Sequence, residues 1–144
     1  MGMLEEVRTQ LISDSVGIAD ETKDWAIHLK LMPETKSAET GQWLGLICLY
    51  ESGGSSPDMG FGSTIPRFKF PRLMVQTRGI PNDYDTPNTK IQLAYDALIA
   101  IGSDQLLGST KYQLVRAVSE PFPLGKDDNK RWRFSCNFDI QKEP

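Results

Sequence analysis

The chain has 144 residues, a length that suits one domain, and it is 39% hydrophobic and 24% charged, as in ordinary soluble proteins. No stretch approaches the roughly 18 apolar residues that cross a bilayer, and the acidic start lacks the regions of a signal peptide. The net charge of −3 is uneven, because residues 1–58 are acidic and residues 59–144 are basic. That split gives no strong nucleic-acid signal. It suits a protein that packs against copies of itself, and chance variation on a solvated surface explains it equally well.

The first predicted element is a short amphipathic helix over residues 3–13. Leu4, Val7 and Leu11 recur at helical spacing, and acids occupy the first turn, where the helix dipole favours them. We expect the helix to end near Gly17.

Two strands are predicted next. Residues 25–31 alternate apolar and polar side chains up to Pro33, which places His28 on the polar side and predicts an exposed or partner-facing histidine. Residues 43–51, "WLGLICLYE", are apolar on both faces and therefore predict a central strand.

A long Gly/Ser/Pro-rich loop is predicted over residues 51–71, followed by a strand over residues 72–79. In that strand Leu73, Val75 and Thr77 share one face, and the other face carries Arg72, Met74, Gln76 and Arg78.

The clearest helix lies in residues 83–102. Thr86 is the expected N-cap, Pro87 the first helical residue and Gly102 the stop. One apolar stripe runs along it, formed by Ile91, Ala94, Tyr95, Leu98 and Ile101.

The last predicted elements are a strand in residues 111–120, a loop with a hairpin turn over residues 121–130 and a strand over residues 131–140. The final strand alternates strictly, which indicates one buried and one polar face. The expected inward residues are Trp132, Phe134, Cys136, Phe138 and Ile140, and the expected outward ones are Arg131, Arg133, Ser135, Asn137 and Asp139.

This order predicts an α+β fold with a single mixed or antiparallel sheet and two helices packed on one face. There is no internal repeat and no linker that would divide the chain. We therefore expect one domain over residues 1–144, with the long loop at 51–71.

The sequence offers no catalytic constellation. The glycines at Gly53 and Gly54 lack the lysine and the following helix of a phosphate-binding loop. His28 is the only histidine, so a hydrolase triad is unsupported. Cys48 and Cys136 lie in separate apolar runs and predict buried, reduced thiols without a metal. We expect no cofactor.

Nucleic-acid binding is an alternative, because Arg67, Lys69, Arg72 and Arg78 alternate in part with Phe68 and Phe70. Basic and aromatic side chains together occur on single-strand stacking surfaces. The same cations also suit an edge strand that is protected against aggregation.

Five segments, read in order, resemble the small minor capsid or tail-terminator proteins of long-tailed bacteriophages. The resemblance covers nearly the whole chain. It rests on "MLEEVRTQL" (3–11), "ICLYESGGSSPD" (47–58), "PRLMVQTRG" (71–79), "DYDTPNTKIQLAYDAL" (83–98) and "SEPFPLGKDDNKRWRFSCNFDI" (119–140). The chain departs from the family pattern at Ser52, where threonine is usual, and in a longer loop over residues 55–70.

The resemblance implies a non-enzymatic α+β protein that forms a hexameric ring on the head-proximal end of the tail tube. The ring would stop tube polymerisation, meet the head-completion or neck protein and let DNA pass without specific binding. The resemblance implies no membrane contact. It places the protein in the virion, after assembly in the host cytoplasm. The expected subunit or partner interface comprises Glu51, Ser52, Gly53, Gly54, Arg67, Lys69, Arg72, Arg78, Lys126, Asp127 and Asp128. A head-completion or neck connector and a small nucleic-acid-binding module remain the alternatives.

Overall fold

The computed structural model describes residues 2–34, 36–37, 41–59 and 66–144. Within these ranges the chain forms two helices and seven strands. In chain order they are α1 (Met3–Ser13), β1 (Ala26–Leu29), β2 (Leu46–Met59), β3 (Pro66–Pro81), α2 (Asp85–Ile101), β4 (Ser103–Leu107), β5 (Thr110–Ala117), β6 (Phe122–Lys126) and β7 (Arg131–Lys142).

The seven strands form one mixed sheet in the order β1-β2-β3-β7-β5-β4. Only the β1–β2 pair among them is parallel, and the other neighbours are antiparallel. β6 pairs with the first half of β7, beside the stretch of β7 that pairs with β5. β7 therefore lies at the centre of the sheet, bordered by three strands.

The core lies between one face of this sheet and both helices. Alternate residues of β2, β3 and β7 point into it, as the strand period requires. α1 contributes Leu4, Val7 and Leu11, and α2 contributes Ile91, Ala94 and Leu98 to the same cluster. The predicted α+β fold, with a single sheet and both helices on one face, is confirmed.

α1 covers the residues 3–13 in which a helix was predicted, but it does not continue to the expected stop near Gly17. Ser15 takes a left-handed conformation (φ 60°), and the Val16 amide donates to the Leu11 carbonyl. These contacts form the motif that commonly ends helices at a glycine, here made by a serine. Residue type alone therefore pointed to the wrong stop.

α2 begins at Asp85, two residues before Pro87, so the expected N-cap at Thr86 is wrong. The cause is Asp83, whose side chain accepts a hydrogen bond from the Thr86 amide (3.2 Å) and satisfies a free donor of the first turn. The predicted apolar stripe is buried apart from the partly exposed Tyr95, and Gly102 ends the helix with φ 60° as predicted.

The predicted loop over residues 51–71 is wrong over most of its length. β2 continues to Met59 and β3 begins at Pro66, so this region is a long β-hairpin; residues 60–65 lie outside the described part. Register shifts after Ser52 and after Ser55 let the Gly/Ser-rich stretch pair irregularly. Composition indicated a loop because bulged strands tolerate turn-forming residues.

Two short strands were missed. β4 follows α2 directly, and β6 occupies residues that the sequence predicted as loop. Four of the five residues of β4 are exposed, so no alternating apolar pattern marks it. In β6, Pro123 disguises the strand, since proline loses a ladder donor and is tolerated only at edges or bulges.

The second face of the sheet is covered at one end by residues 30–34, 36–37 and 41–44, here called the strap. Its carbonyls at Leu31 and Pro33 accept hydrogen bonds from Cys48 and Arg78. Arg78 and Arg131, which contact the strap, are buried, and so are His28 and Ser135, although the sequence placed all four on the polar face. β1 itself is confirmed but short, because Trp25 and Lys30 have positive φ on either side of it.

Both thiols are buried and free, as predicted. Burial raises the pKa of Cys136 to about 12 and also raises the pKa of Cys48. Each therefore stays protonated and unreactive at neutral pH.

Because His28 is buried, we expect the free energy of unfolding to fall in mild acid. Burial lowers the pKa of His28, and this effect outweighs Glu21 at 3.9 Å, which acts in the opposite direction. The unfolded chain then takes up the proton first, so stability falls as pH drops below about 6.5, by at most about 1.4 kcal/mol per pH unit. Urea unfolding between about pH 7.5 and 5.5 measures this.

His28 is the only histidine, so His28→Gln should flatten the curve in this window. Glu34 and Asp127 have lowered pKa values and affect stability only in stronger acid. An unchanged pH dependence in the variant would show that the imidazole is not responsible.

Candidate assembly interface

The tip of the β2–β3 hairpin extends past the end of the neighbouring strand β7. β7 stops at Lys142, opposite Lys69, whereas β2 and β3 remain paired as far as Met59 and Pro66. We call residues 52–59 and 66–69 the arm. Of the predicted interface residues, Ser52, Gly53, Gly54, Arg67 and Lys69 lie on the arm and Glu51 at its base.

An ion cluster lies under the strap, at the opposite end of the hairpin. Arg131 is almost fully buried, and its Nη2 lies 2.9 Å from Glu34 Oε2 and 2.7 Å from Asp127 Oδ2. The guanidinium also lies over the ring of Trp43, 4.3 Å from its centroid, while Lys36 lies at the same distance from that ring. Arg131 thus ties the strap to the start of β7 through charge and cation–π contact.

Arg78 completes this cluster from β3. Its guanidinium donates to the Pro33 carbonyl and lies 3.8 Å from Glu34. Burial and the nearby Arg131 lower the pKa of Arg78, yet an arginine remains charged at any physiological pH. Two buried cations therefore share the exposed carboxylate of Glu34.

The carboxylates of the cluster stay ionised at neutral pH. Hydrogen bonding from Arg131 lowers the pKa of Glu34. Partial burial acts to raise the pKa of Asp127, but the backbone and side chain of Arg131 outweigh it and the net shift is downward. The arrangement is a persistent ion network rather than an acid–base site.

Asp127 shapes the β6–β7 turn. Its Oδ1 accepts the amides of Asn129 and Arg131, both at 3.0 Å, and its Oδ2 accepts Arg131 Nε at 2.8 Å. The two neighbouring residues of the predicted interface differ from Asp127 in their surroundings. Asp128 is exposed at the turn, and Lys126 lies near the Trp132 ring, 5.5 Å from its centroid.

A second arginine group crosses the uncovered part of the same sheet face. Asp139 on β7 lies 2.9 Å from Arg72 Nε on β3 and 3.4 Å from Arg116 Nη2 on β5. These side chains are half-buried or exposed, so each pair is individually weak. Together they leave one excess positive charge beside Leu114 and Phe70, which line a cavity of about 210 Å³ with Arg116 and Asp139.

The structure therefore divides the predicted interface residues into four places. Glu51 to Gly54, Arg67 and Lys69 belong to the arm or its base, and Arg72 belongs to the Asp139 group. Arg78 and Asp127 belong to the buried cluster, and Lys126 and Asp128 lie at the β6–β7 turn. Arg78 and Asp127 already make hydrogen bonds and ion pairs within the subunit. Sequence reasoning missed Glu34, Trp43, Arg131 and Arg116, because only the path of the strap and the strand order bring them to these sites.

No group of three or more His, Cys, Asp or Glu side chains in the described ranges could hold a metal ion. Neither described helix is long and apolar enough to cross a membrane.

Comparison with protein families matches residues 12–144 to the family described as "Bacteriophage tail terminator protein". The match covers the chain from the end of α1 to the C-terminus, including the sheet, the strap and both arginine groups. A search of curated proteins gave no match.

Proposed function

This chain belongs to the bacteriophage tail terminator family, and from that membership we propose that it forms a ring capping the head-proximal end of the tail tube. A structural role in the phage tail and a place in the virion follow from the family itself, which is structural and implies a non-enzymatic protein. The family match over nearly the whole chain carries the proposal.

The proposed ring has three tasks. It ends polymerisation of the tube by occupying the last ring of tube protein, it offers the opposite surface to the head-completion or neck protein, and it lets DNA pass without specific binding. We propose six subunits, as the resemblance of the sequence implies. The protein would join the tail in the host cytoplasm.

Two features of the fold support such a role. The tip of the arm extends past the end of β7, so its backbone can reach a neighbouring subunit. The arginines of the uncovered sheet face hold the carboxylate of Asp139, which suits contact with protein better than with the phosphates of nucleic acid.

Tube elongation in vitro tests the proposal. Purified tube protein is polymerised from a short seed, this protein is added, and tube lengths are measured by electron microscopy. We expect elongation to stop when roughly one ring per tube end is present, because a cap removes the growing end. An unrelated protein of the same size serves as the control.

The neck alternative predicts a different result. A head-completion protein binds DNA-filled heads and leaves tube growth unchanged. Elongation that continues in excess protein, together with binding to filled heads, would contradict the terminator function. Steep salt-dependent binding to DNA would instead support the nucleic-acid module.

A further inference from the structure

The outer side of α2 presents an acid between two apolar side chains. Leu93 and Ile99 are 44% and 42% exposed, and Asp96 lies exposed between them at helical spacing. The opposite side of the helix carries the buried stripe that packs on the sheet. The outer stripe is thus available for contact with another molecule.

The uncovered sheet face presents the reverse pattern on β5 and just beyond it. Leu114 and Val118 are 38% and 48% exposed, and the Arg116 side chain between them is 69% exposed. They alternate with Val115 and Ala117, which face the core, and so point away from the helices. The cavity lined by Leu114, Phe70 and Arg116 lies at this place.

The two triplets complement each other. On the helix, an acidic side chain lies between two apolar ones over about 9 Å along the axis. On the strand, a basic side chain lies between two apolar ones over about 13 Å. Among the described residues, Asp139 is the one carboxylate paired with Arg116 and Arg72, so one more carboxylate would balance the group. Asp96, at the centre of the outer stripe of α2, could supply this carboxylate from a neighbouring subunit.

The charges of the two layers agree with this pairing. The two helices, Met3–Ser13 and Asp85–Ile101, carry four Asp or Glu and two Lys or Arg. The uncovered sheet face carries Arg72 and Arg116 around a single acid. Each molecule thus has an acidic helical side and a basic sheet side, which favours association between copies.

We propose that α2 of one subunit packs across β5 of the next, with Asp96 meeting Arg116 and an apolar neighbour entering the cavity of about 210 Å³. The two surfaces lie on opposite layers of the molecule, so the contact is head-to-tail and builds a ring or an open filament. This rests on the proposed function and identifies the contact that would close its ring. Nucleic acid fits this surface less well, since apolar side chains alternate with its exposed cation.

Charge reversal tests the contact. Self-association of the full chain is measured by native mass spectrometry, alone and with tube ends, for the wild type, Asp96→Arg, Arg116→Asp and the double variant. Each single reversal should weaken assembly at least about tenfold, because like charges then face each other. The double variant should recover assembly, and an equal mixture of the two single variants should form alternating assemblies.

Both residues are exposed, so circular dichroism should show wild-type folding, and Asp96→Asn and Arg116→Gln give milder versions if a reversal misfolds. A wild type that assembles while all variants assemble equally well would overturn this contact and leave the ring intact. A wild type that never assembles would overturn the proposed function as well. Unchanged assembly with loss of binding to a short DNA duplex in Arg116→Asp would assign the surface to nucleic acid and also overturn the contact.

Discussion

Replacing Asp127 by alanine is expected to lower the free energy of unfolding by about 3 kcal/mol, at the lower end of the range for breaking a buried ion pair. The carboxylate accepts two backbone amides of the turn and pairs with the buried Arg131. Without it, the exposed Glu34 is the one anionic partner of Arg131 that remains in the described part of the chain. Urea denaturation monitored by tryptophan fluorescence measures the change.

The adjacent acid provides a matched control. Asp128 is exposed, so Asp128→Ala should change stability by no more than about 0.5 kcal/mol. Asp127→Asn keeps an oxygen for the two amides but removes the charge, and so separates the turn from the ion pair. Equal, small effects at positions 127 and 128 would show that the cluster does not stabilise the fold.

Replacing Phe134 by alanine is expected to cost about 3–5 kcal/mol, as for other buried aromatic residues. The ring is fully buried in the core cluster, and its centroid lies 5.1 Å from that of Tyr84 in an edge-to-face arrangement. Truncation leaves a cavity between the sheet and the start of α2. The sequence pattern placed Trp132 in the core alongside Phe134, but Trp132 is only half-buried. Trp132→Ala should therefore lower the free energy of unfolding by less.

Phe122 on the neighbouring strand β6 is the control for residue type. It is 36% exposed, so Phe122→Ala should cost less than about 1 kcal/mol. If Phe134→Ala were equally mild in urea unfolding, the core would lie on the other face of β7.

The layered arrangement could be predicted because one-sided burial produces a clear period in the sequence. The alternation through Phe134, Cys136 and Phe138 indicated a strand with one face in the core, and α2 showed a helical stripe. Both are consequences of local geometry and need no knowledge of distant residues. The start of α1 followed from the same kind of signal, whereas its stop did not.

The second face of the sheet could not be predicted in this way. Arg78 and Arg131 alternate with core residues and therefore indicated an exposed polar face, yet the strap buries them. The strap that covers them includes Glu34, which is 97 residues from Arg131 in the chain. A polar pattern shows which side of a strand avoids the core, and it does not show whether another segment covers that side.

The surroundings of the predicted interface residues could be predicted only in part, for a similar reason. Gly53 and Gly54 marked an unusual segment, but glycine favours loops and bulged strands alike, and the region is the arm of a hairpin. The sequence did not indicate a role for Arg116, because its contacts depend on the strand order. That order places β5 beside β7, so that Asp139 lies between Arg116 and Arg72.

Imaging of tail tubes mixed with this protein tests the terminator function most directly. Tubes of purified tail tube protein are incubated with a small molar excess of the chain over tube ends and viewed by negative-stain electron microscopy. We expect a closed ring on one end of each tube and no further growth at that end. A protein that stays monomeric in the presence of tubes, with both ends bare and still elongating, would contradict it.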